Sequence, residues 1–583
     1  MRVKSQQIPI LLAIFCFVLL IKNLFLLWSA QPVGYTVNIY SNFPLSFYLT
    51  LMICYLMATF LVINGKMKLG AFILCLNHFE ILIIPHMLRY YLISRADDMS
   101  YVGEYLQIST SGHFAGWDIY PDSHIIGASI SLISDLAAHQ TSFIMPIVFS
   151  FIFIAGIYLF SRELISDHCI KSLVLVSSFI LYLGTYTFSN GPNGLFFSFM
   201  PLYLCYFYKY TTIYNYTSYS IIFVLMTLIM PFAHPFIVFF LFVFFLFHLT
   251  PKILQIPSMD VFQIPRASIS SFFLLIVTFM SWLFYNRFFS ENLKISYVSY
   301  INMITKPVFY EASTSITKIN LGLFDYAQLL GLLYGRFVIP IFIILISVIY
   351  LYYHKNLIET TVLKKYRYLI ILYILFIFIQ TILIFNPIIA HTLERISNLN
   401  FTIYAQIPLF SCSLYLFLSE KSKSIGKMLI VCSILLFVWS LCLFGYFDSP
   451  YIYRPSADLA YNEVRGMDWF YEMKNDSSTV AIPLSQINRF HDLFGNPEIR
   501  DRLYYFPDHF GYVNSSHRSL KDLNPALYMN SYIIILTIDE LLYQKVPGYM
   551  YIGRYNKEDF DTLKRDTSVN KIYDSLDIKI NIL

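Results

Sequence analysis

The feature that most limits this chain is a succession of apolar runs of about 20 residues, the length a helix needs to cross the hydrocarbon of a bilayer. They fall near 8–30, 44–63, 69–93, 142–161, 170–187, 193–209, 218–231, 234–249, 268–287, 336–353, 367–386, 397–418 and 426–446. A soluble core has no room for about 13 such helices, so the expectation is an α-helical polytopic membrane protein. Composition agrees, with 57% hydrophobic and 13% charged residues and a mean hydropathy of +0.61. The first run follows Met1-Arg-Val-Lys like a signal peptide, but it continues to Ala30 and reads as a retained span.

Charge sets the expected sidedness. Arg2, Lys4, Lys66, Lys68, Arg162, Lys171, Lys209, Lys252, Arg266, the Lys364-Lys365-Tyr-Arg367 cluster, Lys421, Lys423 and Lys427 all fall in alternate connections. Basic residues collect in short cytoplasmic loops, which puts the N-terminus inside. The net charge of +5 is spread thinly over these loops, so it speaks for topology and against nucleic-acid binding. Seven of the eight cysteines lie inside apolar runs and Cys169 lies at the edge of one, so neither a disulfide framework nor a cysteine metal site is expected.

In this register the loop 94–141, the turns near Asn190 and His234, the segment 288–335, the turn 386–395 and the tail 447–583 share the external face. The tail has no spanning run and reads as a soluble α/β domain. Residues 457–474 have helical spacing, 478–483 and 532–537 read as buried strands, and 570–583 alternates like an edge strand. The sequons Asn475-Asp-Ser477 and Asn514-Ser-Ser516 suit an external surface.

The stretch Arg95 to His124 concentrates acids, histidines and aromatics between apolar runs. Ionisable groups are costly beside a bilayer and mark function by default. Asp97 and Asp98 follow the aromatic end of the third span, where a carboxylate could act as a general base or hold a divalent cation against phosphates. The alternative is a solvated pair at a helix start. Helical continuation places Tyr101, Glu104, Tyr105 and Ile108 on one side. Tyr120-Pro121 demands an extended or turn conformation, and His124 either orients a phosphate or carboxylate or caps the next helix. Asp118 and Asp122 are expected to shape the loop, and His113 to be solvated.

On the same face His234 breaks two apolar runs, lining a cavity or making a structural turn, and Asn190-Gly-Pro-Asn193 reads as a tight turn. Arg395 follows Glu394 and can grip a lipid-linked phosphate with two parallel hydrogen bonds, or pair locally and snorkel. Asn77, His78 and Glu80 lie within the third span, lining a pocket or contacting another helix. No Walker loop, HExxH, GxSxG or metal-type CxxC occurs, which removes the usual signatures of ATP-driven transport and zinc proteolysis.

Arg95-Ala-Asp-Asp98-Met-Ser-Tyr101-Val-Gly-Glu104, Tyr120-Pro121-Asp-Ser-His124, His234-Pro235, Glu394-Arg395 and the soluble tail together resemble the GT-C class of polytopic glycosyltransferases. Within it they are most similar to the archaeal branch near dolichyl-phosphate-mannose-dependent mannosyltransferases and oligosaccharyltransferase catalytic subunits. The resemblance implies an early external acid as catalytic base or metal holder, which maps to Asp97 or Asp98. It implies transfer of a sugar, with inversion, from a polyprenyl (dolichyl) phosphate donor to a glycan, lipid or protein acceptor at the outer face of the cell membrane. Tyr101, Glu104, Tyr120, His124, His234 and Arg395 would bind substrate, and a divalent cation, Mg or Mn, is optional. Two extra spans precede the acidic loop, a departure from the family. The Trp-Trp-Asp run of oligosaccharyltransferases is missing, Met467-Asp468-Trp469 being no substitute, which favours a monosaccharide transferase. A lipid or glycolipid flippase or secondary transporter with an external domain, and a GT-C scaffold without activity, are the alternatives.

Overall fold

Within a bilayer every backbone polar group needs an internal partner, and a helix supplies one at each turn. In a computed structural model the apolar runs accordingly form helices. The structure describes residues 2–30, 34–95, 97–182, 184, 190–212, 217–253, 267–301, 322–353, 360–385, 400–419, 425–475, 477–483, 487–506, 509–512, 519–520, 531–550 and 555–583. Arg395, the turn around it and the sequon at Asn514 lie outside these residues.

The membrane part contains α1 (Arg2–Ser29), α2 (Leu45–Ile63), α3 (Met67–Met87), α4 (Asp97–Ser111), α5 (Pro121–Ser134), α6 (Ala138–Leu164), α7 (His168–Ser178) and α8 (Pro192–Thr212). It continues with α9 (Thr217–Ala233), α10 (Pro235–Ile253), α11 (Ile269–Tyr285), α12 (Arg287–Ile301), α13 (Leu323–Tyr353), α14 (Thr360–Phe385), α15 (Ile403–Ser419) and α16 (Ile425–Phe444). Among the described residues, 7 helices are long and apolar enough to cross a membrane by length and composition, and α7, α9, α10, α11 and α15 contain shorter apolar helices. Close packing uses small residues: a side chain at Gly156 of α6 would meet the backbone of Leu202 in α8 at 3.0 Å. Two polar groups within α3 bond to neighbouring helices, while among the described residues both Glu80 carboxylate oxygens are buried without a hydrogen-bond partner. Asn77 donates to the Leu51 carbonyl of α2 at 2.7 Å, and His78 Nε2 lies 2.6 Å from Ser150 Oγ of α6.

The third span is shorter than its hydropathy suggests. The helix stops at Met87, Leu88 and Arg89 form a turn, and the residues that follow cross to the tail and pair with it: Tyr91 N donates to the Leu459 carbonyl at 2.7 Å, and Leu459 N to that of Leu92 at 3.0 Å. Asp97 and Asp98 therefore do not emerge directly from a spanning helix. They begin a separate one, α4.

The tail folds around a 5-stranded sheet of β1 (Thr479–Ile482), β2 (Arg502–Tyr505), β3 (Ser531–Leu536), β4 (Asn570–Asp574) and β5 (Ile578–Ile582), in the order β2-β1-β3-β5-β4. β1 runs parallel to both its neighbours, while β3–β5 and β5–β4 are antiparallel. Every residue of β3 is buried, as a central strand covered on both faces requires. Two details depart from the sequence reading. Residues 570–583 form a hairpin in place of one edge strand, because residues 575–577 turn the chain, closed by Ser575 N donating to the Ile578 carbonyl at 3.0 Å, and let Ile578 and Ile580 point inward. The partly exposed edge strand β2 has too little apolar alternation to be seen. Helices α17 (Tyr461–Met473) and α18 (Asn488–Leu493) connect this sheet to the membrane part.

Candidate active site

Helix α4 is the element on which the two parts of the protein meet. Met99, Val102 and Tyr105 bury its apolar face, and Gly103 opens a slot: an added side-chain carbon there would lie 1.8 Å from the Asp492 carbonyl oxygen. α18 can dock only because position 103 has no side chain. Arg489 of α18 then reaches back across the contact, donating from Nη2 to Asp97 Oδ1 at 2.9 Å and from Nη1 to Ser100 Oγ at 2.7 Å. Ser100 passes its own proton to Asp492 Oδ2 at 2.7 Å, and Arg500 Nη2 sits 2.9 Å from Asp492 Oδ1.

The acidic pair is thus split. Asp97 is half exposed and ion-paired with Arg489. Asp98 is buried, and burial, with a smaller contribution from the charge of Asp97, pushes its carboxyl up to about 7 against a hydrogen bond from Ser94. Just before α4, Arg95 Nη2 lies 2.8 Å from both carboxylate oxygens of Glu463 and 3.0 Å from the Asp458 carbonyl. The Tyr35 ring lies 5.3 Å beneath the guanidinium. Glu463 is raised by burial, with Arg95 opposing.

Six residues along α4, at Glu104 and about 9 Å from Asp98 by the rise of a helix, a second group converges. Pro121 starts α5 immediately after the loop, which brings His124, one turn in, back over Asp118. His124 Nδ1 is 2.7 Å from Asp118 Oδ2, while Asp118 Oδ1 accepts from Tyr120 N at 2.8 Å. Asn286 Nδ2 holds the Asp118 carbonyl at 2.9 Å and Trp282 Nε1 that of Ile119 at 3.4 Å, so the end of α11 fixes the loop. Glu104 Oε1 accepts from Trp117 Nε1 at 3.0 Å.

Among the described residues, His124 Nε2, Glu104 Oε2 and Asp122 Oδ2 are buried with no partner. Buried polar atoms are otherwise nearly always satisfied, so these three ask for a ligand or water. Glu104 is raised by burial, opposed by the Trp117 hydrogen bond, and burial plus the nearby Asp118 lifts Asp122 to about 7.

The ligand atoms of Glu104, Asp118 and His124 lie within 4.8 Å of one another. Two carboxylates and an imidazole fit a divalent cation, and the nitrogen suits Mn²⁺ or Zn²⁺ better than Mg²⁺. The set fits better than the expected Asp97–Asp98 pair, of which Asp97 is held by Arg489.

Aromatic rings wall this group. Tyr101 and Tyr105 centre 5.2 and 6.1 Å from His124, and Tyr120 stacks on His234 at 4.9 Å and 9°. Tyr105 donates to the Asn190 carbonyl at 2.7 Å, and Gly191 leaves room for the Tyr101 ring, 2.1 Å from where a side chain would begin. Tyr101, Glu104, Tyr120, His124 and His234 therefore share one neighbourhood, His113 is exposed, and Arg395 lies outside the described residues. Arg489, Asp492 and Arg500 were invisible in the sequence, because nothing local in the tail announces a partner some 390 positions earlier, the separation of Arg489 from Asp97 being 392. The Asp118-to-His124 spacing carried a signal, a proline start to a helix that folds its first turn onto the preceding loop.

No protein-family model and no curated protein sequence matches the chain. Among solved structures, the chain is similar to the oligosaccharyltransferase of Archaeoglobus fulgidus, in its complex with Zn and sulfate, at 12% identity and a TM-score of 0.46, over 80% of this chain and 68% of that one. It is also similar to ArnT from Cupriavidus metallidurans bound to undecaprenyl phosphate, at 8% identity and a TM-score of 0.43, over 86% of this chain and 96% of that one. Apo ArnT from the same organism aligns at 8% identity with a TM-score of 0.38, over 84% of this chain and 94% of that one.

Proposed function

We propose that this protein is a multi-pass membrane glycosyltransferase, transferring one sugar from a polyprenyl-phosphate donor to an acceptor hydroxyl at the external face of the cell membrane. In this reading residues 1–446 form the membrane module, 447–583 the external domain, and the N-terminus is cytoplasmic. The observation that carries it is the buried Asp98 at the start of α4, near a cluster of acids and a histidine, where the helical part meets the sheet domain.

Asp98 is the general base. A carboxyl held near 7 is matched to take a proton at neutral pH. The acceptor oxygen attacks the anomeric carbon, its proton passes to Asp98, and the bond from that carbon to the phosphate oxygen breaks with its electron pair leaving on the polyprenyl phosphate. One displacement inverts the anomeric centre. Asp97 serves position, since its ion pair with Arg489 fixes the start of α4 against the external domain. Arg395 is assigned to the donor phosphate. Glu104, Asp118 and His124 would hold a divalent cation, which when bound supplies positive charge to phosphate oxygens. Tyr101 and Tyr120 would border the sugar, with His234 holding the Tyr120 ring by stacking.

The test is mass spectrometry of glycoproteins and glycolipids from a deletion strain carrying either the parent chain or Asp98→Asn at equal membrane abundance. The parent restores a missing hexose-bearing species and the variant does not. Restoration by Asp98→Asn would overturn the assignment.

A further inference from the structure

Away from α4, a cavity of about 630 Å³ lies between the outer end of α1, the end of α3 and helix α17. Its volume falls within the range of small-ligand sites. Arg89, Arg465 and His86 line it, and its one acid, Asp577, is already engaged. Asp577 Oδ1 accepts from Tyr35 N at 2.7 Å and Oδ2 from Asn462 Nδ2 at 2.9 Å. Among the described residues neither the Arg89 nor the Arg465 guanidinium has an ion pair or hydrogen bond, so two solvent-exposed cations line one cavity without a protein partner.

The backbone at Arg89 adds a second observation. Its φ is +55°, a conformation that residues with a side chain rarely adopt and that the surroundings must impose. The turn follows the end of α3 and lets the next residues cross to the tail strip at Leu459. It also leaves Arg89 in the cavity wall.

The remaining walls bear on what kind of anion would reach this cavity. Trp28, Met87 and Leu88 give the cavity an apolar side. Trp28 is 78% exposed at the end of α1, and the membrane-crossing part of that helix is only 22% buried in protein. The cavity therefore adjoins a helix whose remaining surface faces lipid, with a tryptophan at the depth where aromatic residues collect. Guanidinium pairs phosphate oxygens in parallel bonds and stays charged beside lipid.

We propose that this cavity binds a phosphate-bearing anion between Arg89 and Arg465, the phosphate being the headgroup of an anionic membrane lipid. The site is separate from the one at α4, and its occupancy does not depend on what reaction the protein performs.

The full-length chain in detergent micelles is equilibrated with vesicles of phosphatidylcholine, alone or with one part in five phosphatidylglycerol, and retained lipid is counted by native mass spectrometry. The parent retains phosphatidylglycerol about tenfold over phosphatidylcholine, the discrimination of one modest ionic contact. Arg89→Gln with Arg465→Gln removes the preference, while Arg162→Gln, at the cytoplasmic end of α6, keeps it. A melting-temperature series with inorganic phosphate separates the sources. A rise in the parent alone, without lipid retention, supports the anion site and assigns it to free phosphate. Equal phosphatidylglycerol retention by parent and double variant, or no response of the parent to either probe, overturns the proposal. All variants are first matched for melting temperature in phosphatidylcholine, so misfolding is not mistaken for lost binding.

Discussion

Replacing Asp98 by Asn should stabilise the protein while abolishing transfer, and the gain should depend on pH in a defined way. The folded carboxyl sits at about 7 against an ordinary 3.8, a rise caused first by burial and then by Asp97. Between those values the unfolded chain has released the proton and the folded chain still holds it, so stability falls as pH rises through the window and is flat above it. The full penalty is about 3 units at 1.36 kcal/mol each, or about 4 kcal/mol, an upper figure because the surroundings relax. Roughly 1.2 of those units have been lost by pH 5, so about 2 units, or nearly 3 kcal/mol, remain to be lost between pH 5 and pH 8.

Asn carries no charge to desolvate, and its stability has no such slope. Melting temperature of parent and Asp98→Asn, measured in micelles by intrinsic fluorescence from pH 5 to 8, should therefore diverge, with the variant higher by several degrees at the alkaline end. Asp122, also near 7, is present in both and cancels from the difference. Parallel curves would mean that Asp98 ionises like a solvated acid, which would remove the physical basis for the proposed role as base.

Three further outcomes follow from the same geometry. Arg95→Met leaves the buried Glu463 without its cation and should cost about 3–5 kcal/mol, reduced as Glu463 takes up a proton, and adding Glu463→Met should recover most of the melting temperature. Gly103→Ala drives a methyl into the Asp492 carbonyl and should cost at least the 1–3 kcal/mol or so of ordinary overpacking, read as a lower melting temperature and faster proteolysis of the tail. Metal analysis after dialysis against Mn²⁺ or Zn²⁺ should find the ion in the parent and lose it in His124→Ala and Asp118→Asn, whereas Asp97→Asn should leave metal content unchanged; retention by the first two would remove the proposed cation site.

The helical frame was legible because burial in lipid acts on every residue of a run, and a signal repeated over about 20 positions survives local noise. The α4 helix was legible for a related reason: from Asp97 onward Tyr101, Tyr105 and Ile108 recur at helical spacing. The end of α3 was not, since Leu88, Leu92 and Ile93 carry the apolar run past Met87 and only the contact of Leu92 with Leu459 shows that the chain has already left the helix. The same holds for the site. His124 and Glu104 stood out by residue type, but Asp118 looked like one loop acid among several until a proline turned α5 back over it. Arg489 could not be found at all, because its meaning lies in a contact with Asp97 across the whole length of the membrane part.

The knitting of the α1–α2 connection to the tail also bears on how the protein is made. Tyr35 N bonds to Asp577 across 542 positions, Ser456 N to the Val37 carbonyl, and the Tyr40 hydroxyl to the Leu443 carbonyl across 403. At about 5–20 residues per second of translation, the α1–α2 hairpin waits roughly half a minute to two minutes for Asp577 after Tyr35 has left the ribosome. During that interval the α1–α2 link is unpaired, and until Asn488–Leu493 is made α4 has no α18 to dock against. A nascent chain that has not yet reached Asp577 therefore presents the α1–α2 link without its partner in the sheet domain, an unpaired surface for quality control to recognise.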